Sequence, residues 1–537
     1  MHAPSSALEA ATRVAFFRTV YNARASDRQR EPFEGQMATL SDAVALCSVG
    51  RRDEAERICQ GLLGEHDSPS PAALSLLAEI YAETGRPVQE LACLQRLVGI
   101  TPHDAAVCRR LGNAQLAMAG PADAIASYDR AIELEPGNVR AHNNRGQALL
   151  RLGRLSESIA SFRRAIDQDP RYALGHNNLG LALQQAGDIE QALASYRRAV
   201  ELDCRIIEAH CNIGNALQRL GRAADALTSY ERGLEISPHH AALLCNAAHV
   251  LLLLRRPHEA LSYAERVLQR TPARREALNS RAGALRLLHR YEEALATCEQ
   301  ALALEPDDAQ ILANLAAVLL ALNRPREALI YADRALGLDR DNAEAHNNRA
   351  GALRLLHRPE EAFIGYQQAL GLKPDYPDAL ANLAAVLLEL GRPAEALQCC
   401  DRALALEPQL ASAHCNRSTA LLGLNRSQQA VESFSQLLAI APDYPQALGA
   451  LMHSKALCCD WHRYPEDLTR LLQAVDLGRP ASQPFLLLTF TDCPATQLRS
   501  ARVYAAALVR SVNSITRSSD ASDTPDHRAG SSPRRAR

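Results

Sequence analysis

Residues 139–172 read VRAHNNRGQALLRLGRLSESIASFRRAIDQDPRY, and residues 173–206 read ALGHNNLGLALQQAGDIEQALASYRRAVELDCRI. Laid one above the other, the two stretches agree at small, apolar and turn-forming positions without an insertion. The period is 34 residues, and proline extends it in both directions. Pro102, Pro136, Pro170, Pro238, Pro272, Pro306, Pro374, Pro408 and Pro442 all lie on one grid of that step. Cys204 and Arg340 hold the two remaining grid points, so the phase is unbroken over 11 units from residue 71 to residue 444. Counting within the unit from residue 71, position 8 is always Gly, Ala or Ser, from Ala78 to Ser418. Position 20 is Ala in nine units, with Glu90 and Ser158 as the exceptions. Position 24 is often aromatic: Tyr128, Phe162, Tyr196, Tyr230, Tyr366, Phe434.

This spacing predicts two antiparallel helices per unit. Small residues at positions 8 and 20 let helix A and helix B approach closely, and the ring at position 24 fills space toward the next unit. Position 15 holds Gly85, Gly153, Gly187, Gly221 and Gly391, or Asn323, Asn425, His289 and His357, residues that tolerate the left-handed backbone after a helix end. Position 17 holds Pro87, Pro121, Pro257, Pro325, Pro359 and Pro393, suited to a first helical turn. The proline at position 32 ends helix B. The pattern resembles the tetratricopeptide repeat. That resemblance implies an all-α fold: a right-handed superhelical solenoid in which each unit buries its apolar face against its neighbours.

Composition agrees with a helical solenoid and excludes other classes. Only 4% of the 537 residues are aromatic, so the core rests on Leu and Ala. The net charge of −2 gives no global positive field to draw nucleic acid. The most apolar run, residues 247–254, is too short for a bilayer and is followed by Arg255-Arg256. Residues 1–36 carry scattered charges and no secretory apolar core. These features predict a cytoplasmic chain with no membrane or nucleic-acid partner. The 14 cysteines include no C-x-x-C pair, and several recur at equivalent grid positions, as Cys211, Cys245 and Cys415 do. They read as small buried hydrophobes, with the vicinal pair Cys399–Cys400 as the redox candidate.

Position 6 carries the functional signal. It holds Asn144, Asn178, Asn212, Asn246, Ser280, Asn314, Asn348, Asn382 and Asn416. Asn costs a helix interior roughly 0.5 kcal/mol relative to Ala, so eight at one phase are not there for helix stability. In the tetratricopeptide family, helix A lines the inner face. Adjacent helix axes ~8–10 Å apart would place one Asn at about every third residue of an extended peptide advancing ~3.3 Å per residue. An amide offers a donor and an acceptor, so the line could read peptide backbone without regard to side chains. The alternative is that each Asn bonds a neighbouring helix. The expected partners are extended segments of other proteins, with a homodimer left open. No catalytic residue, metal or cofactor is expected. The two lysines, Lys373 and Lys455, lie outside the helix A positions of the full repeats, so a lysine clamp for a terminal carboxylate is absent. His142, His176, His210, His346 and His414 recur at position 4 and read as core-edge packing; the Arg at position 16 reads as a solvated outer ridge.

The ends divide the chain further. Residues 1–36 read as an N-terminal cap, a disordered arm or a partner-binding arm, and residues 37–70 as a degenerate repeat one residue out of phase. After residues 71–444, residues 445–510 form a helical junction. Its order is Cys459-Asp460-Trp461, an amphipathic helix from Asp467, Ser482-Gln483-Pro484-Phe485-Leu486-Leu487-Leu488, then Asp492-Cys493-Pro494-Ala495-Thr496-Gln497. That order resembles the start of the transferase region in protein O-linked N-acetylglucosamine transferases, including SPINDLY-type and bacterial members. The resemblance implies repeats that select protein substrates and a two-lobed domain that uses UDP-N-acetylglucosamine. Two such lobes need several hundred residues, whereas 93 follow Tyr444, so the catalytic lobes are expected to be missing. Residues 511–537 are rich in Ser, Arg and Asp and read as a disordered tail, arising from a frameshift or serving as a basic arm.

Overall fold

The computed structural model describes residues 39–64, 70–118 and 120–506. The expectations for residues 1–36 and 511–537 fall outside this range. Every regular element among the described residues is a helix. The chain divides between Asp203 and Cys204 into two compact units.

The repeat is built as the grid predicts. In repeat 3, helix A is Val139–Arg151 and helix B is Leu155–Gln168; in repeat 10 they are Pro377–Glu389 and Pro393–Leu406. Helix A ends in the paired bonds of a Schellman turn. In repeat 3, Gly153 N–H donates to Leu150 O at 3.0 Å and Arg154 N–H to Leu149 O at 3.0 Å. Position 15 takes positive φ wherever it is described: 71° at Gly153, 57° at Asn323, 59° at His357. Position 34, just before helix A, supplies a further signal. Asn138, Asp308 and Asn342 cap the following helix by accepting backbone N–H bonds, as from Ala345 to Asn342 at 2.9 Å. Residues 40–64 form another antiparallel pair, Leu40–Ser48 and Arg52–Gly64, joined through Gly50 at φ 81°.

Size matching between positions 8 and 24 sets the helix A to helix B distance. Where position 8 is Gly, position 24 is a buried ring: Gly112 with Tyr128, Gly146 with Phe162, Gly180 with Tyr196, Gly214 with Tyr230. Where position 8 is Ala248, Ala282, Ala316 or Ala384, position 24 is Ala264, Cys298, Ala332 or Cys400. Repeat 9 keeps both Ala350 and Tyr366, and there Gly365 makes room, since a Cβ at that residue would sit 3.0 Å from the Ala350 Cβ. The rings also reach the next repeat, as Tyr128 does by sharing a core cluster with Ala148 and Leu149.

Within each unit, close contact recurs between the A helices of successive repeats and not between successive B helices. The ribbon therefore curves with the A helices on its inside. After repeat 11, helices Ala447–Leu457 and Tyr464–Asp476 continue the stack. The segment after the second helix folds back on the start of the first, with Gln446 N–H to Pro480 O at 2.6 Å and Gly449 N–H to Ala481 O at 2.9 Å, and reaches repeat 11 through Arg479 and Asp443 at 2.5 Å.

Candidate functional site

The position 6 asparagines sit where neighbouring A helices meet. Seven are half-buried, and Asn348 is buried. Each Nδ2 with a described bond reaches back to the preceding repeat. In the first unit, Asn144 donates to Asn113 Oδ1 at 2.8 Å and Asn178 to Asn143 Oδ1 at 2.9 Å. In the second, Asn246 donates to Asn215 Oδ1 at 3.1 Å, Asn382 to Asn347 Oδ1 at 3.1 Å, and Asn314 to Asn279 Oδ1. Where position 5 of the preceding repeat is Ala, the backbone carbonyl accepts instead: Asn348 donates to Ala313 O and Asn416 to Ala381 O, each at 2.8 Å. Asn212 occupies the equivalent place at the start of the second unit and is also half-buried.

The bonds link into chains. Asn178 donates to Asn143, Asn143 to Asn144 at 3.2 Å, and Asn144 to Asn113, which also accepts from the Tyr128 hydroxyl at 2.9 Å. In the second unit, Asn382, Asn347, Asn348 and the Ala313 carbonyl form the same relay. The line thus staples adjacent A helices. Each staple fixes the plane of the amide; Asn246 donates twice, to Asn215 Oδ1 and to Cys211 Sγ at 3.5 Å.

Charge differs between the two inner faces. In the first unit, Arg110 reaches Glu79 at 3.4 Å and Ser75 Oγ at 2.8 Å. Arg109, half-buried beside it, and Arg140 make no ion pair among the described residues. Burial, then Arg140 and Arg110, pull the Arg109 pKa down. In the second unit, Arg354 meets Glu389 at 3.0 Å, and Glu344 accepts a hydrogen bond from Gln310 at 2.7 Å.

The position 4 histidines have a role finer than edge packing. Nε2 of His142, His176, His210, His346 and His414 lies 2.9–3.2 Å from the carbonyl of residues 136, 170, 204, 340 and 408. Each pins the loop that carries the grid point, proline in three of the five and Cys204 or Arg340 in the others. The signal was a His six residues after the grid point. Position 16 is the exposed ridge expected, with Arg154–Glu157 at 2.7 Å and Arg392–Glu395 at 2.6 Å among its i, i+3 pairs. Burial pushes the thiols of Cys298 and Cys400 up to about 12, which keeps them protonated; Cys204, Cys459 and Cys493 depart from the buried pattern and are exposed. Among the described residues, no His, Cys, Asp or Glu side chains gather as metal ligands would, and no helix is long and apolar enough to cross a membrane.

Fold and face together define a tetratricopeptide-repeat array. Tetratricopeptide-repeat family models match residues 109–173, 185–221, 205–273, 245–309, 285–352, 377–410 and 411–444. Among solved structures, the chain is similar to one described as the APC/C hetero-tetramer Cut9-Hcn1, at a TM-score of 0.50 and 13% identity, covering 86% of this chain and 95% of that one. A tetratricopeptide repeat protein from Parabacteroides merdae ATCC 43184 matches at a TM-score of 0.41 and 17% identity, over 46% of this chain and 98% of its own. No curated protein sequence gives a significant match.

Proposed function

We propose that this chain is a protein–protein interaction scaffold that holds extended polypeptide segments along the inner face of its A helices. The observation that carries this reading is the asparagine line. A stapled amide such as Asn178 or Asn382 is held in a fixed plane by one N–H and has a second N–H to offer a ligand. A row of such groups suits the repeating N–H and C=O of an extended chain. The unpaired Arg109 and Arg140 favour an acidic stretch of ligand at the first unit.

The test is binding of a fluorescently labelled unstructured polypeptide, followed by anisotropy. Changing Asn314, Asn348, Asn382 and Asn416 together to Ala should weaken binding by at least ~10-fold, since each lost hydrogen bond contributes ~0.5–1.5 kcal/mol. A control separates ligand contact from stapling. In Asn347→Ala, the Asn382 donor can turn to the backbone carbonyl, as Asn416 does at Ala381, so affinity should change little. Unchanged binding in the folded quadruple variant would remove the proposal.

A second reading rests on the transferase-like order of residues 459–497. Under it, the held segments are acceptors for sugar transfer. The order lies in a part that packs on the last repeat, through Arg479–Asp443 and a core that Leu471, Val475 and Leu487 share with Phe434 and Leu438, as a junction would. No residue of this chain is assigned to catalysis, so incubation with UDP-N-acetylglucosamine and an acceptor protein should give no sugar transfer. Measured turnover would instead establish the enzyme reading.

A further inference from the structure

Arg255 breaks the pattern of its position. At position 15, where the backbone is left-handed in every described case, the other described repeats place Gly, Asn or His; repeat 6 places Arg at φ 55°. A residue with Cβ is strained there, and nothing local requires arginine. Its side chain does not stay local. Nη2 lies 3.0 Å from Asp378 Oδ2 and 3.2 Å from Glu407 Oε2, carboxylates 123 and 152 residues further along the chain. Asp378 is in the first turn of helix A of repeat 10, and Glu407 caps the end of its helix B. The contact thus joins repeat 6 to repeat 10 over the three intervening repeats, residues 275–376.

Other groups meet along the same gap. The Lys373 ammonium sits 4.8 Å from the Tyr376 ring. Burial first, then Glu344 and Asp378, push the Tyr376 phenol pKa up, while Arg286 and Arg255 oppose them. Residues from repeats 6 and 7 therefore lie close to residues from repeats 9 and 10, and the inner groove of this unit is narrow at that point.

We propose that Arg255 is an ion-pair latch that holds the inner groove of the second unit closed between repeats 6 and 10, and that its release widens the groove. The side chains of Arg255, Asp378 and Glu407 remain 44%, 44% and 29% exposed, so water and salt reach them. A pair of this exposure is weak and readily screened, which suits a reversible closure. A repeat array bends cumulatively, because each unit is fixed only by its neighbours. One contact spanning three repeats therefore acts on many small rotations together. The inference goes beyond the proposed function and holds whatever the groove binds.

The experiment uses the full chain, with small-angle scattering and sedimentation velocity at ~0.01 M and ~1 M salt, where the screening length falls from about 30 Å to about 3 Å. Wild type should be more compact in low salt than in high salt. Arg255→Gly should show the wider dimensions at both, with helix content unchanged and thermal stability equal or higher, because glycine suits the left-handed turn. Arg255→Glu should also be wide, and adding Asp378→Arg and Glu407→Arg to it should restore compactness at low salt. If Arg255→Gly keeps the wild-type radius and salt response, the latch is wrong; if the charge-swapped variant stays wide, the pair does not set the groove.

Discussion

Gly214→Ala is expected to destabilise the second unit by ~2–3 kcal/mol, although alanine is the better helix former. A Cβ at residue 214 would lie 2.2 Å from Tyr230 Cε1 and 2.5 Å from Cζ. The ring cannot swing aside. It is fully buried, and its hydroxyl donates toward Asn215 Oδ1 at 2.7 Å and Gln218 Oε1 at 2.6 Å. Helices Ile207–Arg219 and Ala223–Ile236 would have to separate, which opens the core they share. Tyr230→Ala alone should cost ~3 kcal/mol or more, by leaving a cavity. The double variant should be less unstable than the sum, with a coupling of ~1–3 kcal/mol, because Ala248 with Ala264 shows that the small–small pairing folds. Urea midpoints and hydrogen exchange in Ala223–Ile236 measure both effects. Additive losses would mean that the two positions do not set the helix spacing.

The second large effect is expected at the junction. Asp467→Ala should cost roughly 3 kcal/mol, because it strands the Lys455 ammonium in a largely enclosed place. Lys455 Nζ lies 2.6 Å from Asp467 Oδ2 and 3.1 Å from the His462 carbonyl, with side chains only 10% and 18% exposed for the ion pair. The bond ties helix Tyr464–Asp476 to helix Ala447–Leu457. Its loss should make residues 464–506 sensitive to protease while residues 241–440 stay protected. Replacing both partners, as Lys455→Met with Asp467→Leu, should be far milder, since no unpaired charge remains. Equal losses in the single and double variants would assign the effect to packing alone.

Much of this was legible along the chain. The proline grid, the small residue at position 8 and the left-handed residue at position 15 are one-dimensional signals of close helix approach and of turn geometry. They fix the helix bounds within a residue or two. The asparagine line was legible as a line because duplication keeps the phase. Its acceptors were not, because Asn143 and Ala313 are equally good partners in space and share only a place on a neighbouring helix. The same holds for the compensation of Ala350 by Gly365, which needs the distance between two helices.

The sequence by itself determined that this protein is an all-α array of 34-residue units and which side of each unit must be small. Those choices are local: each depends on sterics within one unit or against the next. Tertiary structure alone decided which amides staple the A helices, which loops the histidines pin, and that Arg255 meets Asp378 and Glu407. Small rotations between units add up along the ribbon, and no pattern within 34 residues encodes their sum. Residues more than a hundred positions apart become neighbours only once that curvature exists.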